Sequence, residues 1–163
     1  FYLESGRIDE ARAHFEESLA IEPNFADAHY NLGNLYLQIG DAQAALTHYQ
    51  RALTTKPDDI QALNNMAWIL ATWPNSSVRD GVKAAALAEH ADSLTSRRNQ
   101  VVAATLAAAY AETGRFQEAV RTAERAMRLA ASEGNEARAL SIREQLETYK
   151  SGSAFRDNRY LGR

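Results

Sequence analysis

A 34-residue step runs through the first part of this chain. Gly6 and Gly40, Ala11 and Ala45, Phe15 and Tyr49, Leu19 and Leu53, and Pro23 and Pro57 are each separated by it. Self-similarity at a period of this length means stacked supersecondary units, none of which can bury its apolar face alone. The unit is clearest in residues 26–59, ADAHYNLGNLYLQIGDAQAALTHYQRALTTKPDD. Apolar residues recur at helical spacing on both sides of Gly40-Asp41, and Lys56-Pro57 ends the second run. Gly tolerates the left-handed backbone that closes a helix, and Pro cannot continue the ladder, so the segment reads as two short helices joined by a tight turn.

Leu32, Gly33, Tyr36, Ala45, Tyr49, Ala52 and Pro57 fall where a tetratricopeptide repeat puts its large, small and terminating residues. The chain resembles that family. Its later part, LNNMAWILATWP and then TLAAAYAETGRFQEAV, is similar to the C-terminal repeats of bacterial multi-repeat proteins. The resemblance implies an all-α fold: a right-handed α-solenoid of stacked antiparallel helix pairs, with about three and a half repeats and a C-terminal capping helix. Such arrays are attached to many different domains, so the fold alone does not name a function.

The expected division follows the register. Residues 1–25 are a partial first repeat, with a turn at Gly6-Arg7 and a second helix from about Asp9 to Ile21. Residues 26–59 are a full repeat, with Asp58 or Asp59 placed to cap the next helix. Residues 60–99 are a repeat with an inserted loop near 73–79, because Gly40 and Gly114 are 74 residues apart, six more than two steps. Ser77-x-x-Asp80 resembles a capping box there. Residues 100–133 form another repeat with Asn99 as its cap, and 134–150 a capping helix. The tail, 151–163, is expected to be loose, or to dock Phe155 and Tyr160 on the cap. The chain opens FYLESG, without Met and inside a repeat, which reads as a piece of a longer protein. Its compartment, cytoplasmic or periplasmic, stays open.

Composition narrows the function class. The net charge of −3 gives no general pull toward nucleic acid or anionic membrane. Residues 1–59 carry four basic and ten acidic side chains, residues 60–163 fourteen and eleven, a polarity read as a solvated outer face. The chain has no cysteine, which removes disulfides, thiolate metal sites and cysteine nucleophiles. His14 and His48 stand one step apart and are read as outward-facing repeat echoes; no two histidines have the i, i+4 ligand spacing. No GxSxG, GxGxxG or phosphate loop occurs. No catalytic residue, metal ligand or cofactor is expected, and the chain is read as non-enzymatic.

The family resemblance implies a concave wall lined by the first helix of each pair. The stripe is then Asn31, Asn34 and Gln38; Asn65, Trp68 and Thr72; and Thr105, Ala108 and Glu112, flanked by Tyr30, Leu37, Asn64 and Ala71. Asn31 and Asn65 are equivalent positions, and an Asn amide offers the donor and acceptor that an extended peptide backbone needs. The superhelix of O-linked N-acetylglucosamine transferase is similar in stacking Asn along its groove. Trp68 is expected to add most affinity, since large aromatics dominate interface energetics; packing under the Trp73-Pro74 loop is its alternative role. Gln61, Asn65, Val101 and Thr105 stand where a carboxylate clamp would want Lys or Arg, so clamp binding is not expected. The function expected is a scaffold that holds a peptide or protein segment in the groove, with no nucleic-acid or membrane contact by this segment. The alternative is a structural spacer, or an oligomerisation or regulatory module of a larger protein with no groove ligand, self-associating through its end faces or the missing half-repeat; an apolar face at Phe1, Tyr2 and Phe15 is a separate, weaker reason for dimers.

Overall fold

Five of the described helices start on side-chain caps, and five are followed by left-handed residues. The computed structural model describes residues 2–160, with side chains from 7 to 159. Among them are eight α-helices: α1 (Tyr2–Ile21), α2 (Ala26–Gln38), α3 (Ala42–Thr55), α4 (Ile60–Thr72), α5 (Gly81–Leu94), α6 (Gln100–Glu112), α7 (Phe116–Ser132) and α8 (Glu136–Lys150), followed by a 3₁₀ turn at Asn158–Tyr160. Asp41, Asp59, Asp80, Asn99 and Asn135 each accept a hydrogen bond from a main-chain N–H in the first turn of the helix that follows. These oxygens satisfy donors that the helix cannot pair within itself.

The tight turns share one geometry. Gly40, Gly114 and Gly134 have φ of +84°, +76° and +69°. In each, the residue after the glycine donates to the carbonyl five positions back: Asp41 to Tyr36, Arg115 to Tyr110 and Asn135 to Ala130, all at 2.9 Å. This is the Schellman closure, in which the glycine supplies the positive φ at no steric cost.

Two local expectations are corrected. No turn forms at Gly6-Arg7; α1 runs unbroken through both residues. A lone glycine costs a helix only about 1 kcal/mol relative to alanine, so Gly6 does not by itself end it. Ser77 does not build a capping box either. Asp80 is itself the N-cap of α5, accepting from Lys83 N–H at 2.9 Å, while Ser77 turns to the Asn75 side-chain oxygen through both its N–H and its hydroxyl.

Stacking runs in chain order, each helix against the next, and α4 also packs directly on α6. Small residues make the close approaches: Ala45 and Ala52 on α3, Ala84, Ala88 and Ala91 on α5, and Ala119, Ala123, Ala126 and Ala130 on α7 are all essentially inaccessible. Helix α6 is the most enclosed, buried at nearly every position from Val102 to Ala111. The architecture is thus an α-solenoid of antiparallel helix pairs, closed over α7 by α8.

The inserted segment between α4 and α5 is pinned from both sides. The Arg79 guanidinium donates to the Trp73 and Pro74 carbonyls, each at 2.8 Å, and to the Glu112 carboxylate at 2.9 Å. After α8, Gly152 at φ +74° turns the chain back, and residues 153–157 run without helical structure toward α4.

Candidate binding groove

The polar residues of the expected stripe are first engaged with one another. The Tyr49 hydroxyl donates to Asn34 Oδ1 at 2.7 Å, and Asn65 Nδ2 donates to the same oxygen at 3.2 Å. Asn65 thereby joins α4 to α2, and its own Oδ1 lies 3.5 Å from Asn64 Nδ2. Asn31 is not arranged like its counterpart: its Nδ2 donates to the Asp27 carbonyl one turn back, at 2.8 Å. The repeat-equivalent asparagines therefore have different surroundings. Tyr30 tilts against the Tyr49 ring with centroids 5.9 Å apart, Leu37 is part-buried against the core, and Gln38 is exposed.

The wall from α4 and α6 carries the chain's own tail. Trp68 Nε1 donates to Asp157 Oδ2 at 2.8 Å. The Phe155 ring lies tilted against Trp68, with centroids 6.0 Å apart. The Asp157 N–H donates to the Thr72 carbonyl at 2.9 Å. Arg156 donates to the Ala71 carbonyl at 3.4 Å and pairs with Glu112 at 2.7 Å. Glu112 thus ties the inserted loop, through Arg79, to the tail, through Arg156. Thr72 and Thr105 are 1% and 2% exposed, and Ala108 is equally buried.

The tail consequently docks against α4, with Phe155 on Trp68, and shares a cavity with Arg138, Ser141 and Gln145 of the capping helix; the Tyr160 side chain lies outside the described residues. Trp68 packs against Phe155. Asp157, Arg156, Arg79 and Gln145 meet the residues of the expected stripe or border the same cavities, and periodicity does not find them because they lie outside that stripe. One signal was present: Asp157 is the single acidic residue of 151–163, two positions after Phe155.

Asp157 is 2% exposed. Burial pushes its carboxyl upward, but the Arg159 side chain, the Trp68 indole and the Arg159 main-chain N–H together hold it below the usual carboxylate range. It is therefore ionised, and a buried carboxylate persists only because three donors face it.

Two cavities flank the docked tail. One, of about 470 Å³, lies between Trp68, Arg138, Gln145 and Phe155. The other, of about 180 Å³, is bounded by Asn64, Asn65, Trp68, Thr105, Gln145 and Arg159. The buried Asn64 Oδ1 and Gln145 Oε1 have no hydrogen-bond partner among the described residues.

The histidine expectation is corrected as well. His48 is not an outward echo: its Nδ1 lies 3.0 Å from Nδ1 of buried His29, and its ring stacks on Tyr36. His29 Nε2 faces the Pro23 carbonyl at 3.1 Å, so that nitrogen carries the proton and Nδ1 of a neutral His29 is an acceptor. Burial lowers the His48 pKa, and His29 and Arg51 lower it further against an opposing pull from Glu16. A depressed folded-state pKa contributes stability above the unfolded value near 6.5, lost as the pH falls below it. Thermal melts should therefore drop between pH 7.5 and pH 5.5, and His48→Gln should flatten the drop; equal slopes for both chains would refute the assignment.

Among the described residues, no group of three or more His, Cys, Asp or Glu side chains could hold a metal ion, and no helix is long and apolar enough to cross a membrane.

Comparison with known proteins follows the same helices. Among curated proteins, a photosystem I assembly protein of Synechococcus elongatus is 39% identical over 67 residues, covering 39% of this chain and 39% of that protein. A probable biofilm formation methyltransferase, WspC of Pseudomonas putida, is 39% identical over 67 residues, covering 41% of this chain and 16% of that protein. The chain therefore spans well under half the length of these relatives. Among solved structures, MamA from Desulfovibrio magneticus RS-1 superposes with a TM-score of 0.65 at 15% identity, covering 91% of this chain and 89% of that one. PilW, a type IV pilus biogenesis factor, gives 0.64 at 17% identity, covering 92% and 73%; at these identities the likeness is one of fold. Family models described as tetratricopeptide repeat match residues 2–70 and 104–148. With those matches on the same capped, glycine-closed helix pairs, the chain belongs to the tetratricopeptide-repeat family.

Proposed function

We propose that the concave face formed by α2, α4 and α6 binds an extended segment of a partner protein, and that this part of the chain acts by binding rather than catalysis. The observation that carries the reading is the docked tail. Residues 155–157, in non-helical backbone, are gripped through a main-chain N–H at Thr72 and through side chains at Trp68 and Glu112. A wall that recognises one extended segment by backbone and side chain has the chemistry to recognise another. The stretch toward α2, with exposed Gln38 and part-buried Asn31 and Leu37, lengthens the surface beyond what the tail covers.

The test is a selection of 12-residue peptides from a random library on the full chain. Selected peptides are expected to bind at least about tenfold more weakly to Asn65→Ala and to Trp68→Ala, the loss of one or two charge-assisted or amide hydrogen bonds. An outer-face change, Arg121→Ala, should leave them unaffected. Peptides indifferent to Asn65 and Trp68 would move the binding surface elsewhere.

A second reading has one observation in its favour. Ile21 is 82% exposed and Phe25 38% exposed at the N-terminal end of the array, an apolar end face suited to self-association. Phe15 beside them is half-buried, while Phe1 and the Tyr2 side chain lie outside the described residues. Concentration-dependent dimers abolished by Ile21→Glu would support it.

A further inference from the structure

The docked tail leaves part of the wall unmatched. Asn64 Oδ1 and Gln145 Oε1 are buried acceptors without a partner among the described residues, and both border the cavity of about 180 Å³ beside the tail. Arg159 also borders that cavity, yet its guanidinium turns back to Asp157, at 2.8 and 2.5 Å. The 3₁₀ turn at Asn158–Tyr160 produces this curl. In an extended chain, alternate side chains share one side, so a ligand that stays extended would carry its next residue on the side of Phe155 and Asp157, toward the cavity.

Each contact of the tail selects a chemistry. The indole N–H of Trp68 is a donor only, so it reads an acceptor and is strongest with a carboxylate. Its ring reads an aromatic two positions earlier. The Thr72 carbonyl reads the main-chain N–H of the acidic residue. The two orphan oxygens call for an N–H donor, and a neutral amide supplies one without being drawn back to the carboxylate.

Resting on the reading of the groove as a segment-binding wall, we propose that its ligand is an extended segment of a partner protein bearing an aromatic residue, a carboxylate two positions later and an amide side chain two positions after that. It displaces Phe155, Asp157 and Arg159, so the tail is an internal occupant that holds the site until this better-matched segment arrives. A tethered tail acts at an effective concentration in the millimolar range. A free segment with only the tail's contacts would lose that competition, and the amide is what lets a partner win it.

The experiment uses the full chain carrying Phe155→Ala and Asp157→Ala, with release of the tail checked by faster trypsin cleavage and retention of fold by circular dichroism. Three labelled peptides are titrated by fluorescence anisotropy: SGSAFRDNRYLG, its Arg159→Gln form, and that form with Asp157→Asn added. The Gln peptide is expected to bind at least about fivefold tighter than the natural one, the Asn peptide about tenfold weaker than the Gln peptide, and the unaltered chain about tenfold weaker than the released chain. Equal binding of the natural and Gln peptides would make a second copy's tail as good a ligand and overturn the proposal. Equal binding of the Asp and Asn forms would show that the carboxylate is not read, with the same consequence. If none of the three binds while library-selected peptides still depend on Asn65 and Trp68, the motif falls and the groove reading stands. If the selected peptides are also indifferent, both fall.

Discussion

Replacing Gly33 with alanine is expected to lower the melting temperature by roughly 4–8 °C, the equivalent of about 2 kcal/mol in a domain of this size. A Cβ at position 33 would stand 2.6 and 2.7 Å from two carbons of the Tyr49 ring. Tyr49 is fully buried, and its hydroxyl is held by Asn34, so the ring cannot yield without breaking the polar tie between α2, α3 and α4. Overpacking of this kind costs up to about 3 kcal/mol, while removing a glycine from a helix interior returns about 1 kcal/mol; the steric term wins. Combining the change with Tyr49→Leu removes the obstructing ring, and in that background Gly33→Ala should be neutral or mildly stabilising. A melting temperature that rises with Gly33→Ala alone would mean that propensity outweighs packing and that α2 and α3 can separate freely.

Trp68→Ala should free the tail. The change deletes the surface under Phe155 and one of the three donors that keep Asp157 charged in a buried position. A hydrogen bond to a charged group contributes about 1.5–3 kcal/mol, and leaving the carboxylate short of a donor adds to the loss. Local opening of residues 153–160 should then become at least about tenfold more frequent, read as faster trypsin cleavage after Arg156 and Arg159. Trp68→Phe keeps a ring but not the N–H, and should fall between. Global melting should move much less than cleavage, because the tail lies over α4 and α6 without forming part of their stacking. Cleavage at the unaltered rate would show that the tail is held elsewhere.

The helices were readable because their signals are local. Asp59 and Asn99 as caps, Gly40 and Gly114 as closures and the alanine stripe of α7 act through residues within one or two turns, and each is visible as a letter at a fixed offset. The failures have the same origin. Gly6 carries the letter of a turn, yet a single glycine costs a helix too little to end it, and Ser77 carries the letter of a cap that Asp80 takes instead. His48 looked like an outward echo of His14 because period says nothing about which partner ring stands opposite; His29, nineteen positions away, decides it.

The groove divides along the same line. Helical spacing assigns Asn34, Asn65, Trp68, Thr72, Thr105 and Glu112 to one stripe, since a period near 3.6 needs only the residues of one helix. Whether those side chains face solvent, each other or another segment is a long-range question. Asn34 and Asn65 meet from separate helices, and Trp68 meets Asp157 across 89 positions of chain. Sequence by itself determined a stack of capped helix pairs with a periodic inner stripe, because caps, closures and period are short-range. Only the tertiary structure decided that the stripe is partly cross-bonded and partly covered by the tail, because the turn at Gly152 and the superposition of α4 on α6 bring together groups that no spacing along the chain relates.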